Sequence, residues 1–209
     1  MQRSLASLVV LLALGASAAS AGILLEADYA GQPIRLELGQ DPTRALATVA
    51  GSHYLVDVAR GDVYALGGTA PKRLRAGAMP DPAPTLRFAL ERWSEGPVVA
   101  GNGSTYNVLI IDERICGEVL VSPWMAPFTD PLVRSIELLQ RVDPRLAAPA
   151  RESCGRIGFG VYASNGFLLL AGFKDEPVFK VTQLRFDHRP PGPLFVLPIE
   201  ATDCSATRC

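Results

Sequence analysis

Short segments of alternating apolar and polar residues, each closed by a turn-forming cluster, recur along most of this chain and restrict it to a sheet-rich fold. In Pro33–Leu38, Ile34, Leu36 and Leu38 share one face while Arg35 and Glu37 point away. His53–Val58 places Tyr54, Val56 and Val58 together, and Asp62–Leu66 follows after the hairpin-like turn Ala59-Arg60-Gly61. Thr105–Ile111 and Ile115–Val121 flank the tight polar connection Asp112-Glu113-Arg114. The second of these places Ile115, Val119 and Val121 on one face and Cys116 and Glu118 on the other. Arg156–Ala163 and Phe167–Phe173 read as a hairpin about Ser164-Asn165-Gly166, because Asn and Gly tolerate positive φ. After the turn Lys174-Asp175-Glu176-Pro177, Val178–Asp187 is the next strand. Its apolar face changes from Phe179/Val181 to Leu184/Phe186, which predicts a bulge near Thr182.

Two segments carry a helical period instead. Asp130 is placed to cap a helix with Pro131 at its first position; Leu132, Ile136 and Leu139 then form a stripe, and Asp143-Pro144 ends it. Thr85 to Trp93, with Leu86, Leu90 and Trp93 on one face, is the second. Residues 77–84 (GAMPDPAP) read as a loop, and the Pro-rich run from His188 to Pro198 suits no central strand. The fold class expected is mainly β with one or two helices (α+β), an antiparallel sheet with helices on one face; a small closed barrel is the alternative.

The first 21 residues have a different character. Arg3, an apolar run from Leu8 to Leu14, and the small residues Ala19-Ser20-Ala21 make an export signal with an A-x-A cleavage site. The run is shorter than the roughly 20 apolar residues a bilayer span needs, and no Cys stands at the cut to be lipidated. The expected product is therefore one β-rich domain, residues 22–209, that is not membrane-spanning and is periplasmic or secreted. All but three of the 20 basic residues are Arg, a composition common in bacteria with GC-rich genes.

Export brings an oxidising compartment in which Cys116, Cys154, Cys204 and Cys209 can pair. Three pairings are open; Cys116–Cys154 with Cys204–Cys209 is favoured, because the last two lie close together in a loose tail from about residue 199. In the chain-entropy account the larger loop stabilises by roughly 4 kcal/mol and the smaller by roughly 2. Neither a C-x-x-C pair nor a Cys/His cluster marks a redox or metal site, so no metal or cofactor is expected.

Enzyme signatures are also missing. His53 and His188 are the two histidines, and no G-x-S-x-G elbow accompanies them. Asp112-Glu113 and Asp175-Glu176 sit in turns. Gly155, Gly158 and Gly160 have the wrong spacing for a dinucleotide loop. With a formal net charge of −1 and no broad basic face, nucleic acid is not an expected partner. The expectation is a protein that is not an enzyme, with a secreted hydrolase as the remote alternative. One segment stands apart: Ser122-Pro123-Trp124-Met125-Ala126-Pro127-Phe128 packs three large adaptable side chains between a strand and a helix. It either plugs one end of the core or, with Leu132, Ile136 and Leu139, covers an apolar ligand. Trp124, Met125, Phe128, Leu132, Ile136 and Leu139 are therefore the candidate ligand-binding residues.

The order of these pieces resembles the periplasmic lipoprotein-carrier superfamily, and most closely an exported family known only as a domain of unknown function. The matching stretches are HYLVDVARGDVYAL, GPVVAGNGSTYNVLIID, ICGEVLVSPWMAP with the helix after it, GFGVYASNGFLLLAGF, and VFKVTQLRFDHRPPGPLFVLP. The resemblance implies an antiparallel half-open barrel with a helical lid. It also implies a lipid or acylated protein as ligand, or a protein partner in the cell envelope, where the chain would act as an interaction module without a cavity.

Overall fold

The computed structural model describes residues 22–39, 41–75, 87–146, 159–173, 176–190 and 202–204. The strands are β1 (Gly22–Tyr29), β2 (Gln32–Leu38), β3 (Arg44–Val49), β4 (Ser52–Asp57), β5 (Asp62–Ala65), β6 (Lys72–Leu74), β7 (Phe88–Glu95), β8 (Thr105–Ile111), β9 (Arg114–Ser122), β10 (Phe167–Phe173), β11 (Glu176–His188) and β12 (Thr202–Cys204). Between β9 and β10 lie a 3-10 turn (Pro123–Met125), the helix α1 (Ala126–Val142) and the short helix α2 (Gly160–Ala163). The class is mainly β with one substantial helix.

The strands form one sheet in the order β12-β6-β5-β4-β3-β2-β1-β11-β10-β9-β8-β7. Two antiparallel meanders, β1–β6 and β7–β11, meet where β1 pairs with β11. The C-terminal β12 is parallel to β6, so part of the tail expected to be loose adds to the sheet edge. Among the described residues the two end strands, β12 and β7, do not pair, and the sheet is open rather than the closed barrel held as an alternative.

Local chemistry explains the meanders. Ala30-Gly31, Ala50-Gly51 and Asp112-Glu113 are two-residue connections with positive φ at both positions. That is the turn whose twist matches paired antiparallel strands. The β4–β5 hairpin about Ala59-Arg60-Gly61 forms as expected, with Asp57 opposite Asp62. The bulge expected near Thr182 is present: the β1–β11 register passes from Glu26↔Gln183 to Ala27↔Val181, skipping Thr182.

Four expectations are corrected. Phe88–Glu95 is strand β7, not the second half of a helix from Thr85; Leu90 and Trp93 fit a helical stripe, but the segment pairs antiparallel with β8 along its whole length. Gly160–Ala163 is a turn of helix, not the end of a strand, and β10 pairs with β9 and β11 instead. The helix α1 begins at Ala126, ahead of Asp130, because Pro127 fits its first turn, where a missing N–H is harmless. Asp130 lies inside the helix and pairs with Arg134. Finally, Cys116 and not Ile115 joins Val119 and Val121 in the core. The β8–β9 register skips Cys116, and this bulge reverses which face the neighbouring side chains take.

The core lies on one face of the sheet. Leu25, Leu36, Val49, Val56 and Val63 from one meander and Leu109, Val121, Phe167 and Phe179 from the other pack in a single cluster with Leu132, Ile136 and Leu139 of α1. The helix touches β10 towards one side and β4 and β5 towards the other. Seventeen residues span about 25 Å, and five strand spacings from β10 to β4 span about 24 Å. The helix is thus long enough to cross the sheet from one meander to the other. A smaller cluster, Leu46, Leu55 and Tyr64, forms on the opposite face. Among the described residues no helix is long and apolar enough to cross a membrane.

Candidate functional site

The two ends of α1 differ in kind. At its C-terminal end, Asp143 is almost fully buried, with a side chain 1 % exposed. Its carboxylate accepts Tyr54 OH at 3.0 Å, Arg145 Nη2 at 2.7 Å, and Arg145 Nε and the Arg145 backbone N–H at 2.9 and 3.0 Å. Arg145 also donates to Ser52 Oγ at 2.9 Å. One turn earlier, Gln140 Nε2 donates to Tyr29 OH at 2.9 Å. Burial alone would raise the Asp143 pKa, but the hydrogen bonds from Arg145 and Tyr54 together with the guanidinium charge hold it below the usual range. Burial, and after it the neighbouring carboxylate, raise Tyr54. This end of the helix is tied to β1 and β4.

The N-terminal end carries exposed aromatic surface. Trp124 is 83 % exposed, Phe128 40 % and Phe186 39 %. The Phe128 and Phe186 rings lie 5.4 Å apart. Trp124 stands in the 3-10 turn that leads into α1, four residues before Phe128. Large side chains this exposed mark a surface suited to an apolar partner.

The six candidate residues therefore divide. Met125, Leu132, Ile136 and Leu139 are buried in the core, while Trp124 and Phe128 are on the surface at the end of α1. Phe186 was not among the candidates; its signal was the change of apolar face after Thr182. The clamp residues Asp143, Arg145 and Tyr54 were not singled out either, since nothing in the sequence links positions so far apart.

On the opposite face of the sheet, Arg35 bridges Glu26 and Glu37 at 2.8 and 2.9 Å, and His188 Nε2 lies 2.6 Å from Glu37 Oε2. Burial pushes the Glu37 pKa up, but the hydrogen bonds and charges of His188 and Arg35 outweigh it and leave the carboxyl below its ordinary value. His53 is exposed, with Thr48 Oγ1 at 3.1 Å. Among the described residues no three His, Cys, Asp or Glu side chains gather where they could hold a metal. Cys116 is disulfide-bonded. Cys154 and Cys209 lie outside the described residues, as does the side chain of Cys204.

No family model matches this chain, and no curated protein does. Among solved structures, two of PNGF-II, in space groups P21 and C2, are similar at 10 % identity with TM-scores of 0.41 and 0.42. Each likeness covers 89 % of this chain but only 31 % of the other, so the chain spans about a third of the length of the structures it matches.

Proposed function

We propose that this chain is an exported, periplasmic or secreted binding protein for an apolar ligand, a lipid or the acyl chain of a modified protein. Entry is at the N-terminal end of α1, beside Trp124, Phe128 and Phe186. The single observation that carries this reading is that aromatic group, exposed beside a helix whose buried stripe covers the apolar face of the sheet. In this reading the sheet curves around α1 as a half-open barrel and the helix is its lid. Disulfides Cys116–Cys154 and Cys204–Cys209 complete the fold.

Aromatic side chains suit this task because they offer large apolar area at small entropic cost, and the Trp N–H can stay wet while its ring is covered. A free acyl chain gains about 0.8 kcal/mol for each methylene removed from water, so even partial cover by these rings holds it reversibly. No reaction is assigned, and the chemistry is sequestration. The test is fluorescence. Trp93→Phe leaves Trp124 as the sole indole. Titration with dodecanoate below its micelle concentration should shift Trp124 emission to the blue and saturate. An emission maximum that stays in place throughout the titration would remove the reading.

A further inference from the structure

The small apolar cluster on the face opposite α1 is more deeply buried than its described neighbours explain. Leu46, Leu55 and Tyr64 are 8 %, 0 % and 7 % exposed, yet among the described residues only Leu66 is a further apolar side chain packed against them. None of the described helices contributes to this cluster. The three belong to one row across the sheet, in which Glu37, Leu46, Leu55, Tyr64, Arg73 and Asp203 are register partners from β2 to β12. Side chains stand out from a sheet face, and those on a bare face keep part of their surface in water. A leucine with none exposed lies beneath a second layer.

The topology fixes both ends of a connection that has to cross this part of the sheet. β11 ends at His188, opposite Gly22, and β12 begins at Thr202, opposite Lys72. Because β12 is parallel to β6, it also runs in the same direction as β11. Followed through the register, Thr202 lies level with Leu25, three residues inward from Gly22. Strands that run the same way are joined by a crossover over a face of the sheet. The inner face at β4 and β5 is taken by α1, which leaves the outer one. His188 already turns that way, with Nε2 2.6 Å from Glu37 Oε2 in the row of the buried cluster. Seven strand spacings and three residues of rise make a diagonal of about 36 Å. The fourteen Cα steps from His188 to Thr202 reach about 46 Å, so the chain spans it with little slack.

We propose that residues 191–201 (PGPLFVLPIEA) cross the outer face of the first meander as an extended strap and cover Leu46, Leu55 and Tyr64. Fourteen steps spread over seven spacings bring residues 194–198 over β3, β4 and β5. Those residues are Leu194-Phe195-Val196-Leu197-Pro198, the apolar run of the connection. Pro190, Pro191, Pro193 and Pro198 favour extended backbone and offer no N–H to a ladder, which suits a chain that crosses strands at an angle. The other long connection from this meander, residues 76–86, carries only Met79 and Leu86 as large apolar side chains. The outer face is thus occupied by the chain itself and offers a partner no apolar surface, in contrast to the aromatic end of α1.

The strap is independent of ligand binding and is tested by photocrosslinking in the full chain. Leu66→p-benzoylphenylalanine puts the probe at the half-buried rim of the cluster. Irradiation should join it to residues 191–201, read by mass spectrometry of the digested chain. A crosslink to residues 76–86, to any other segment or to a second copy of the chain overturns the proposal, and so does the absence of any crosslink. Nitration by tetranitromethane gives a second readout. With Leu194→Ser, Phe195→Ser and Val196→Ser combined, Tyr64 should react about fivefold faster than in the parent, since local uncovering raises access. Tyr29 and Tyr162, buried in the core on the inner face, should keep their parent rates. A Tyr64 rate equal to the parent's overturns the proposal.

Discussion

Tyr54 and Asp143 are separated by 89 residues, yet the Tyr54 hydroxyl donates to Asp143 Oδ2 at 3.0 Å. This bond fastens the last turn of α1 to β4, in the middle of the first meander. It fixes one end of the helix and leaves the aromatic end to face solvent.

Removing the clamp should cost stability in a defined order. Asp143→Ala leaves Arg145 without its carboxylate and Tyr54 without its acceptor, a loss of about 3 kcal/mol. Tyr54→Phe removes one of several donors to a carboxylate that Arg145 still holds, a loss of about 1–2 kcal/mol. Urea unfolding midpoints measure both. Equal midpoints for the two variants and the parent would show that the clamp contributes nothing.

Acid should act through Asp143 and Glu37. Both carboxyls have folded pKa values below their ordinary ones. Each therefore contributes stability that is fully present above the unfolded pKa, about 4, and is lost as pH falls through the folded value. Melting temperatures should be flat from neutrality down to about pH 5 and fall steadily below it. Glu37→Gln should make that fall shallower. A slope identical to the parent's would show that the Arg35–Glu37–His188 group is not a source of acid sensitivity.

One turn is built from residues poorly suited to it. Asp112 and Glu113 have φ of 46° and 65°, and Glu carries a Cβ that disfavours this region by about 1 kcal/mol. Glu113→Gly should raise stability by only several tenths of a kcal/mol, because the larger unfolded-state entropy of Gly offsets most of the relieved strain. Thermal unfolding of the single variant decides it, and a lowered melting temperature would contradict the turn geometry.

Much of the fold was legible because strand alternation and turn chemistry agree locally. Ile34, Leu36 and Leu38, the Ala59-Arg60-Gly61 hairpin and the Thr182 bulge all follow from side-chain period alone. The misreadings share a cause. Leu90 and Trp93 satisfy a helical spacing and a bulged strand equally well, and pairing with β8 decides between them. Ile115 and Cys116 exchange faces because the extra residue of a bulge leaves no mark in composition. At the candidate site, Trp124 and Phe128 stood out as bulky residues in a proline-flanked segment. Their exposure, and the approach of Phe186, depend on where β11 ends relative to α1. Asp143 was legible as a helix stop but not as the buried partner of Tyr54 and Arg145.

The aromatic group should matter for binding beyond its contribution to folding. Trp124→Ala, Phe128→Ser and Phe186→Ser combined should lower stability by about 2–4 kcal/mol and leave the chain folded, since Trp124 is 83 % exposed but the two Phe rings are only 40 % and 39 % exposed. Affinity for dodecanoate should fall at least tenfold, as more than about 1.4 kcal/mol of apolar contact is withdrawn. Unaltered affinity would move the site elsewhere.

Native mass spectrometry of the protein, purified without detergent, tests the central claim most directly. The account predicts an adduct of several hundred daltons that extracts into organic solvent and is absent from the triple aromatic variant. A mass equal to that of the bare chain, unchanged after incubation with lipid, would contradict it.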